Sequence, residues 1–372
     1  MRGKGSAIVV GGSIGGLAAA IALARNGIRT TVLESRDAFD GRGGLGVDYR
    51  LLCAVTGEDP EDALAYLHGH RRPTGFNALH NWLAEVAARV IGLDLRLGSD
   101  VTEVDQDDDF AYAATGSAEF EADVLIGADG GHGPARAAVD PDRASAGYSG
   151  YLTWRGWIAD DAFPAGAAVG EATFVSGEQV LVARPLPGLT GRIPSKGLRA
   201  MGFAWHDPTR ARLLEAHGCI RDGRILRGLE PELFPPDLAA KLAEQARRRW
   251  PAPWGAAVAE CFEQGLVHGA PTGDQLPERL AHGRVALLGS AAYTRAPAIG
   301  HGDNASVDDA LALRDSLAAG VLGSRGPAAL TAYEGLRLAP ARELAAASRR
   351  WGGAYTGSAS VPGDPSPSMS NR

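Results

Sequence analysis

Residues Ala7–Glu34 read AIVVGGSIGGLAAAIALARNGIRTTVLE. A short apolar strand (Ala7–Val10) meets a glycine cluster, then an alanine-rich helix, then a second strand ending in a carboxylate. This is the order of a βαβ unit that binds a dinucleotide. The glycines permit a tight turn and a close backbone approach to a pyrophosphate. The helix N-terminus offers N–H groups and a positive dipole end to the same phosphate. Glu34 follows Gly11 at about the 20-residue separation expected of a ribose-binding acid. In the G-x-G-x-x-G register the glycines are Gly11 and Gly16, and Ser13 takes the middle place. The bland alternative is a glycine-rich turn that binds nothing; the full strand–turn–helix–strand–acid context disfavours it.

The chain has 372 residues, enough for two domains with a large core. Its apolar fraction of 45% and charged fraction of 22% are those of a soluble globular protein. A net charge of −7 argues against a nucleic-acid surface. Arg247, Arg248 and Arg249 read as the solvated end of a helix. Cys53, Cys219 and Cys261 are odd in number and far apart, which fits neither a zinc site nor a disulfide framework. They read as reduced thiols of a cytoplasmic protein. No signal peptide, transmembrane-length apolar run or internal repeat is visible.

After Glu34 comes a glycine-rich loop, Phe39–Tyr49. Apolar residues at Phe76, Leu79, Leu83, Val86 and Val90 predict a helix over Phe76–Val90. Strands are expected at Asp94–Leu97, Val101–Asp105, Phe110–Ala114 and Asp123–Ile126, the last running into Gly127-Ala128-Asp129-Gly130. From about Tyr148 the character changes. Tyr151–Trp157 and Ala200–Trp205 alternate aromatic with small residues, as sheet strands do. Six of the seven tryptophans lie between Trp154 and Trp351. This middle segment reads as a sheet-based domain able to line an apolar pocket, with at least half of its tryptophans simply filling a core. Arg284–Leu288 is again a buried strand, followed by a loop and a helix over Asn304–Ala319. The fold class expected is α/β: a Rossmann-like domain from residues 1–145 and 277–351, a substrate domain inserted over 146–276, and a flexible tail over 352–372.

Four words then agree on a family: VVGGSIGGL (Val9–Leu17), LIGADGGHGPAR (Leu125–Arg136), YSGYLTWRG (Tyr148–Gly156) and GRVALLGSAAYTRAPAIGHGDNASVDDALAL (Gly283–Leu313). In order, and over nearly the whole chain up to about Trp351, the sequence resembles the single-component FAD-dependent aromatic hydroxylases with the p-hydroxybenzoate hydroxylase fold. It looks most like the 2,6-dihydroxypyridine hydroxylase type. The resemblance implies a glutathione-reductase-type FAD domain, with NADH or NADPH as co-substrate. It implies that Gly11, Ser13 and Gly16 approach the pyrophosphate and that Glu34 takes the ribose hydroxyls. Asp129 and Gly130 would order the phosphate side, with Arg136 as a cationic partner. Pro297, Gly300, His301 and Gly302 would run beside the isoalloxazine, and the helix from Asn304 would aim its positive end at the ring. Ile14, Gly15, Ser35, Arg42, Gly43, Gly44, Val101 and Gly289 complete the implied cofactor set.

Two positions depart from the family pattern. The family has Gly-Asp where this chain has Gly289-Ser290, which predicts weaker FAD binding. Many relatives place an arginine before the first long helix, where this chain has Phe76 or Asn77, with Arg71 and Arg72 upstream.

The implied reaction uses NAD(P)H and O2 and proceeds through a flavin C4a-hydroperoxide attacked by an electron-rich aromatic ring. No metal is required. The catalytic base stays open. His206 reads chiefly as a surface histidine at a strand end before Pro208, with a titrating role as the alternative. His301, in the flavin loop, Tyr293 and Asp48 are further candidates. An epoxidase, oxidative decarboxylase or oxidase on the same scaffold remains open, as does a non-catalytic relative with weak FAD affinity; the absence of a W-x-W-x-I-P word argues against a halogenase. The expected partners are a small aromatic substrate and O2, with a homodimer left open and neither nucleic acid nor membrane.

Overall fold

The computed structural model describes residues 3–37, 48–63, 75–159, 172–185, 200–293 and 302–355. Arg42, Gly43, Gly44, Arg71, Arg72, Pro297, Gly300 and His301 lie outside the described residues.

The chain opens β1 (Ser6–Val10), α1 (Ile14–Arg25), β2 (Arg29–Leu33), α2 (Tyr49–Thr56), α3 (Gly75–Arg89) and β3 (Leu93–Arg96). It continues with β4 (Val101–Gln106), β5 (Ala111–Thr115), β6 (Glu119–Ala122), β7 (Val124–Gly127) and α4 (Ala135–Val139). A second set follows: β8 (Gly147–Ala159), β9 (Ala172–Ser176), β10 (Gln179–Pro185), β11 (Ala200–Asp207), α5 (Ala211–Ala216), β12 (Ile220–Arg221), β13 (Arg224–Ile225), α6 (Leu238–Arg249), α7 (Trp254–Glu263) and β14 (His268–Asp274). The chain then returns with β15 (Ala281–His282), β16 (Val285–Leu287), α8 (Gly302–Ser316) and α9 (Arg325–Tyr355). The last helix runs past Gly352, where the sequence predicts a flexible tail.

The first sheet has the order β15-β16-β7-β1-β2-β3. Its β16, β7, β1, β2 and β3 are parallel, so the strand that joins β7 comes from late in the chain. Strands buried on both faces need continuous apolar runs, and β1 and β7 supply them. α1 is apolar all round because it is enclosed all round: 11 of its 12 residues, Ile14–Ala24, are buried. On one side of it a Cβ on Gly15 would stand 2.8 Å from Ser306 Cβ of α8. A separate antiparallel sheet, β4-β5-β6, flanks this unit. Its β6, sequence EFEA, is too charged to read as a strand by itself.

The second sheet has the order β12-β13-β8-β11-β10-β9, with β14 pairing β8. Side chains alternate across it. Leu152, Trp154, Leu181, Phe203 and Trp205 enter a core with α6 and α7. Trp154 meets Phe234 and Phe262 edge-on at 5.6 and 5.8 Å, and Trp205 meets Trp250 at 5.7 Å. Trp254 joins the same core. Four tryptophans therefore fill the core behind the sheet, in line with the expectation that at least half of them would. Each aromatic buried there contributes roughly 2–3 kcal/mol. Trp157 falls on the opposite face by alternation.

Among the described residues no helix is long and apolar enough to cross a membrane, and no cluster of ligating side chains suits a metal ion. The three cysteines are buried free thiols.

Candidate active site

The glycine turn is built as its sequence requires. Gly11 has φ +100°, and a Cβ there would stand 2.5 Å from the Ala128 carbonyl oxygen. A Cβ on Gly16 would stand 2.1 Å from the Gly11 carbonyl oxygen. Only glycine fits either place. Ser13 takes up the middle position for a local reason. It is the N-cap of α1, and its hydroxyl accepts the Gly16 N–H at 3.3 Å. Its side chain is exposed, so the helix start keeps its approach. Ile14 is buried beneath it.

Two side chains hold the peptides on either side of Gly12. Glu34 Oε2 accepts the Gly12 N–H at 2.6 Å, and its Oε1 accepts the Arg36 N–H at 3.0 Å and the Ser35 hydroxyl at 3.4 Å. His80 Nε2, from α3, donates to the Gly12 carbonyl at 2.6 Å. His80 was not legible as a site residue. It lies on α3, one turn beyond Phe76.

A second turn follows β7. Asp129 Oδ2 accepts the Ala135 N–H at 2.9 Å, while Oδ1 is buried with no hydrogen-bond partner among the described residues. Burial raises its carboxyl to about 6, against the lowering by the Ala135 N–H and the Arg136 charge. Gly130 has φ +79°. Arg136, expected as a cationic partner of the cofactor, is turned inward and buried. Its guanidinium donates to the carbonyls of Ala291 (2.7 Å), Ser290 (2.9 Å) and Gly131 (3.2 Å). It braces the second turn against a third.

That third turn, Gly289–Ala291, follows β16. Gly289 has φ +57° and gives its N–H to Asp309 Oδ2 at 2.9 Å. Ser290 is exposed. Tyr293, expected on a flavin-facing loop, is fully buried, and its hydroxyl donates to Asp309 Oδ2 at 2.8 Å. It is a packing residue of the turn. Val101 opens β4 and is nearly buried. Gly302 starts α8, and Asn304 Oδ1 accepts the Asp48 N–H at 2.8 Å, which ties α8 to the start of α2.

His206 is the clearest correction. It is 1% exposed, not a surface histidine, because β11 lies between β8 and β10 and continues to Asp207. It occupies the sheet face opposite the tryptophan core. Its Nδ1 is 3.1 Å from Thr153 Oγ1, which is 3.1 Å from Thr272 Oγ1, and the Tyr151 ring meets it edge-on at 5.5 Å. Burial first, and then the Arg155 charge, push its pKa down to about 3. The ring is neutral at pH 7, which removes it as a group titrating near neutrality.

These turns suit FAD. A glycine crossing at Gly11 that packs the turn against the Ala128 backbone, an N-capped helix start, a carboxylate at the end of β2 and an unpaired Asp129 oxygen lie along the C-terminal ends of parallel strands, where such ligands bind.

Residues 9–58 match the profile of an NAD(P)-binding Rossmann-like domain, and residues 243–348 that of an FAD binding domain. The chain is 30% identical over 243 residues to a 3-amino-4-hydroxybenzoate 2-monooxygenase of Streptomyces platensis, covering 64% of this chain and 52% of that one. It is 29% identical over 348 residues to an FAD-dependent urate hydroxylase of Klebsiella oxytoca, covering 83% and 80%. Two crystal structures share the fold. One is 2,6-dihydroxypyridine-3-hydroxylase from Arthrobacter nicotinovorans, with TM-score 0.72, 20% identity and coverage of 97% and 95%. The other is Klebsiella pneumoniae HpxO complexed with FAD and uric acid, with TM-score 0.69, 23% identity and coverage of 96% and 90%.

Proposed function

We propose that this chain, which is similar to FAD-dependent monooxygenases and shares the fold of 2,6-dihydroxypyridine-3-hydroxylase, hydroxylates an electron-rich aromatic or N-heteroaromatic small molecule at the expense of NAD(P)H and O2. The meeting of three turns from distant parts of the chain, at Gly11, Asp129 and Gly289, supports this reading. Residues that bind nothing would not need Arg136 to bind one turn to another at three carbonyls.

FAD, when bound, supplies the activation of oxygen. The chain supplies position and a dry surround. The N-terminus of α1 and the Gly11–Gly16 turn would receive the pyrophosphate, with Glu34 at the ribose. The α8 N-terminus would offer its positive end to the ring. The face of the second sheet away from the tryptophan core offers Tyr151, Thr153, His206 and Thr272, all buried. A neutral His206 there orients a substrate oxygen by hydrogen bonding through the Thr153–Thr272 chain and carries no charge of its own.

The test uses the purified full chain. It takes up FAD and turns yellow, an aromatic candidate accelerates its NAD(P)H oxidation, and mass spectrometry finds one oxygen atom gained by that aromatic. A protein that stays colourless with excess FAD overturns the reading. FAD binding with aromatic-stimulated oxidation but no oxygen gain shifts it to another flavin oxidoreductase.

A further inference from the structure

We propose that the Arg337–Asp309 pair is a positioning device for the cofactor: from the last helix it fixes the turn at Gly289 and Ser290, and through that turn it sets how tightly FAD is held. Asp309, on α8, is fully buried. Its Oδ2 receives the Gly289 N–H and the Tyr293 hydroxyl, and its Oδ1 receives Arg337 Nε at 2.6 Å. One carboxylate therefore grips both ends of the turn, and its charge is balanced by a single arginine on α9 whose side chain is 17% exposed. A buried carboxylate without that cation is costly, so the geometry of the turn depends on Arg337. One helical turn earlier on the same face of α9, the Tyr333 hydroxyl donates to the Leu287 carbonyl at 2.7 Å, on the strand that leads into the turn.

The turn has no slack of its own. Gly289 sits at φ +57°, where a Cβ would meet Ser306 Cβ at 2.9 Å, and Arg136 holds the Ser290 and Ala291 carbonyls from the other side. Serine at 290 brings no carboxylate of its own to the turn. Correct placement of its backbone then counts for more. Neither Arg337 nor Asp309 needs to touch FAD for this to hold. The inference rests on FAD binding and is indifferent to the substrate and to the reaction.

The test compares Arg337→Met, Arg337→Lys and Arg342→Met in the full chain. Arg342 lies on the same helix and donates instead to the carbonyls of Pro277 and Glu278, which makes it a control for general loosening of α9. FAD dissociation constants are read from flavin fluorescence, the bound flavin from its visible spectrum, and apoprotein stability from melting without FAD. Arg337→Met raises the FAD dissociation constant at least tenfold and flattens the fine structure of the bound flavin spectrum. Arg337→Lys recovers the affinity to within about threefold. Arg342→Met lowers the melting temperature without moving the dissociation constant. An FAD affinity within twofold of the parent in Arg337→Met overturns the proposal, as does an equal loss of affinity in Arg342→Met. If Arg337→Met does not fold, the double variant Arg337→Met/Asp309→Asn removes both charges together and is judged by the same tenfold criterion.

Discussion

His80 reaches from the third helix to the carbonyl oxygen of Gly12, 2.6 Å away, while Glu34 takes the N–H of that same glycine at 2.6 Å. The two successive peptides on either side of Gly12 are thus each held by one side chain. Removing the imidazole leaves the Gly12 carbonyl without its donor, at a cost of about 1–3 kcal/mol. His80→Ala is expected to weaken FAD binding about tenfold in a fluorescence titration. His80→Gln, whose amide reaches a similar distance, should restore part of it. Unchanged affinity in His80→Ala would remove this residue from the site.

Gly16 has the least room of any position in the turn. An alanine there sets a methyl 2.1 Å from the Gly11 carbonyl, and no flexible side chain can yield. Gly16→Ala should cost roughly 3 kcal/mol of stability and abolish the yellow colour. Thermal melting and flavin absorbance together check this. A folded variant that still binds FAD like the parent contradicts the assignment of the turn.

Ser290 is exposed at the third turn, with Arg136 bound to its own carbonyl. Adding a carboxylate offers the cofactor's hydroxyls a charged acceptor, worth about 1.4 kcal/mol or a factor of ten. Ser290→Asp is therefore expected to bind FAD about tenfold more tightly. The idea fails if the parent binds as well as the variant.

The pH dependence of stability should carry the mark of His206. In the folded state its ring stays neutral down to about pH 3, whereas an unfolded histidine takes up a proton near 6.5. Between those values the unfolded chain binds more protons. Stability is therefore full above pH 6.5 and falls as pH drops below it, by about 2 kcal/mol at pH 5 from this residue alone. Urea unfolding at pH 5.0, 6.5 and 8.0 measures the slope. His206→Asn, which keeps an acceptor toward Thr153 and cannot titrate, should show a shallower one. An equal slope in both proteins would exclude this residue as the cause.

What could be read from the chain divides by range. Gly11, Gly16 and Glu34 belong to one local unit, and their spacing alone specifies its geometry. The apolar runs at β1, β7 and β16 declare themselves because strands buried on two faces need no alternation. Asp309, Arg136 and His80 were obscure for the opposite reason. Each acts on a backbone group that folding brings from far along the chain, such as Arg136 on Ala291. A buried arginine and a ligand-binding arginine look the same in sequence. His206 misled through its neighbour Pro208, which reads as the end of a strand, whereas burial follows from the place of β11 between two other strands. At least half of the tryptophans were expected to fill a core, and four do: Trp154 and Trp205 by strand alternation, Trp250 and Trp254 from the end of one helix and the start of the next.

The parallel pairing of β16 with β7 joins the strand at Val285–Leu287 to the one at Val124–Gly127. During synthesis, then, the N-terminal glycine turn emerges long before the parts that complete its surroundings. Leu288 must still be made before it can bond to Gly127, and Ser290 and Ala291 before they can receive Arg136. A nascent chain halted after the tryptophan core would display the whole N-terminal motif and still be unable to retain a flavin. Loading with FAD is therefore expected to follow completion of this strand, and a C-terminal deletion reaching it is expected to give an empty protein with an intact fingerprint.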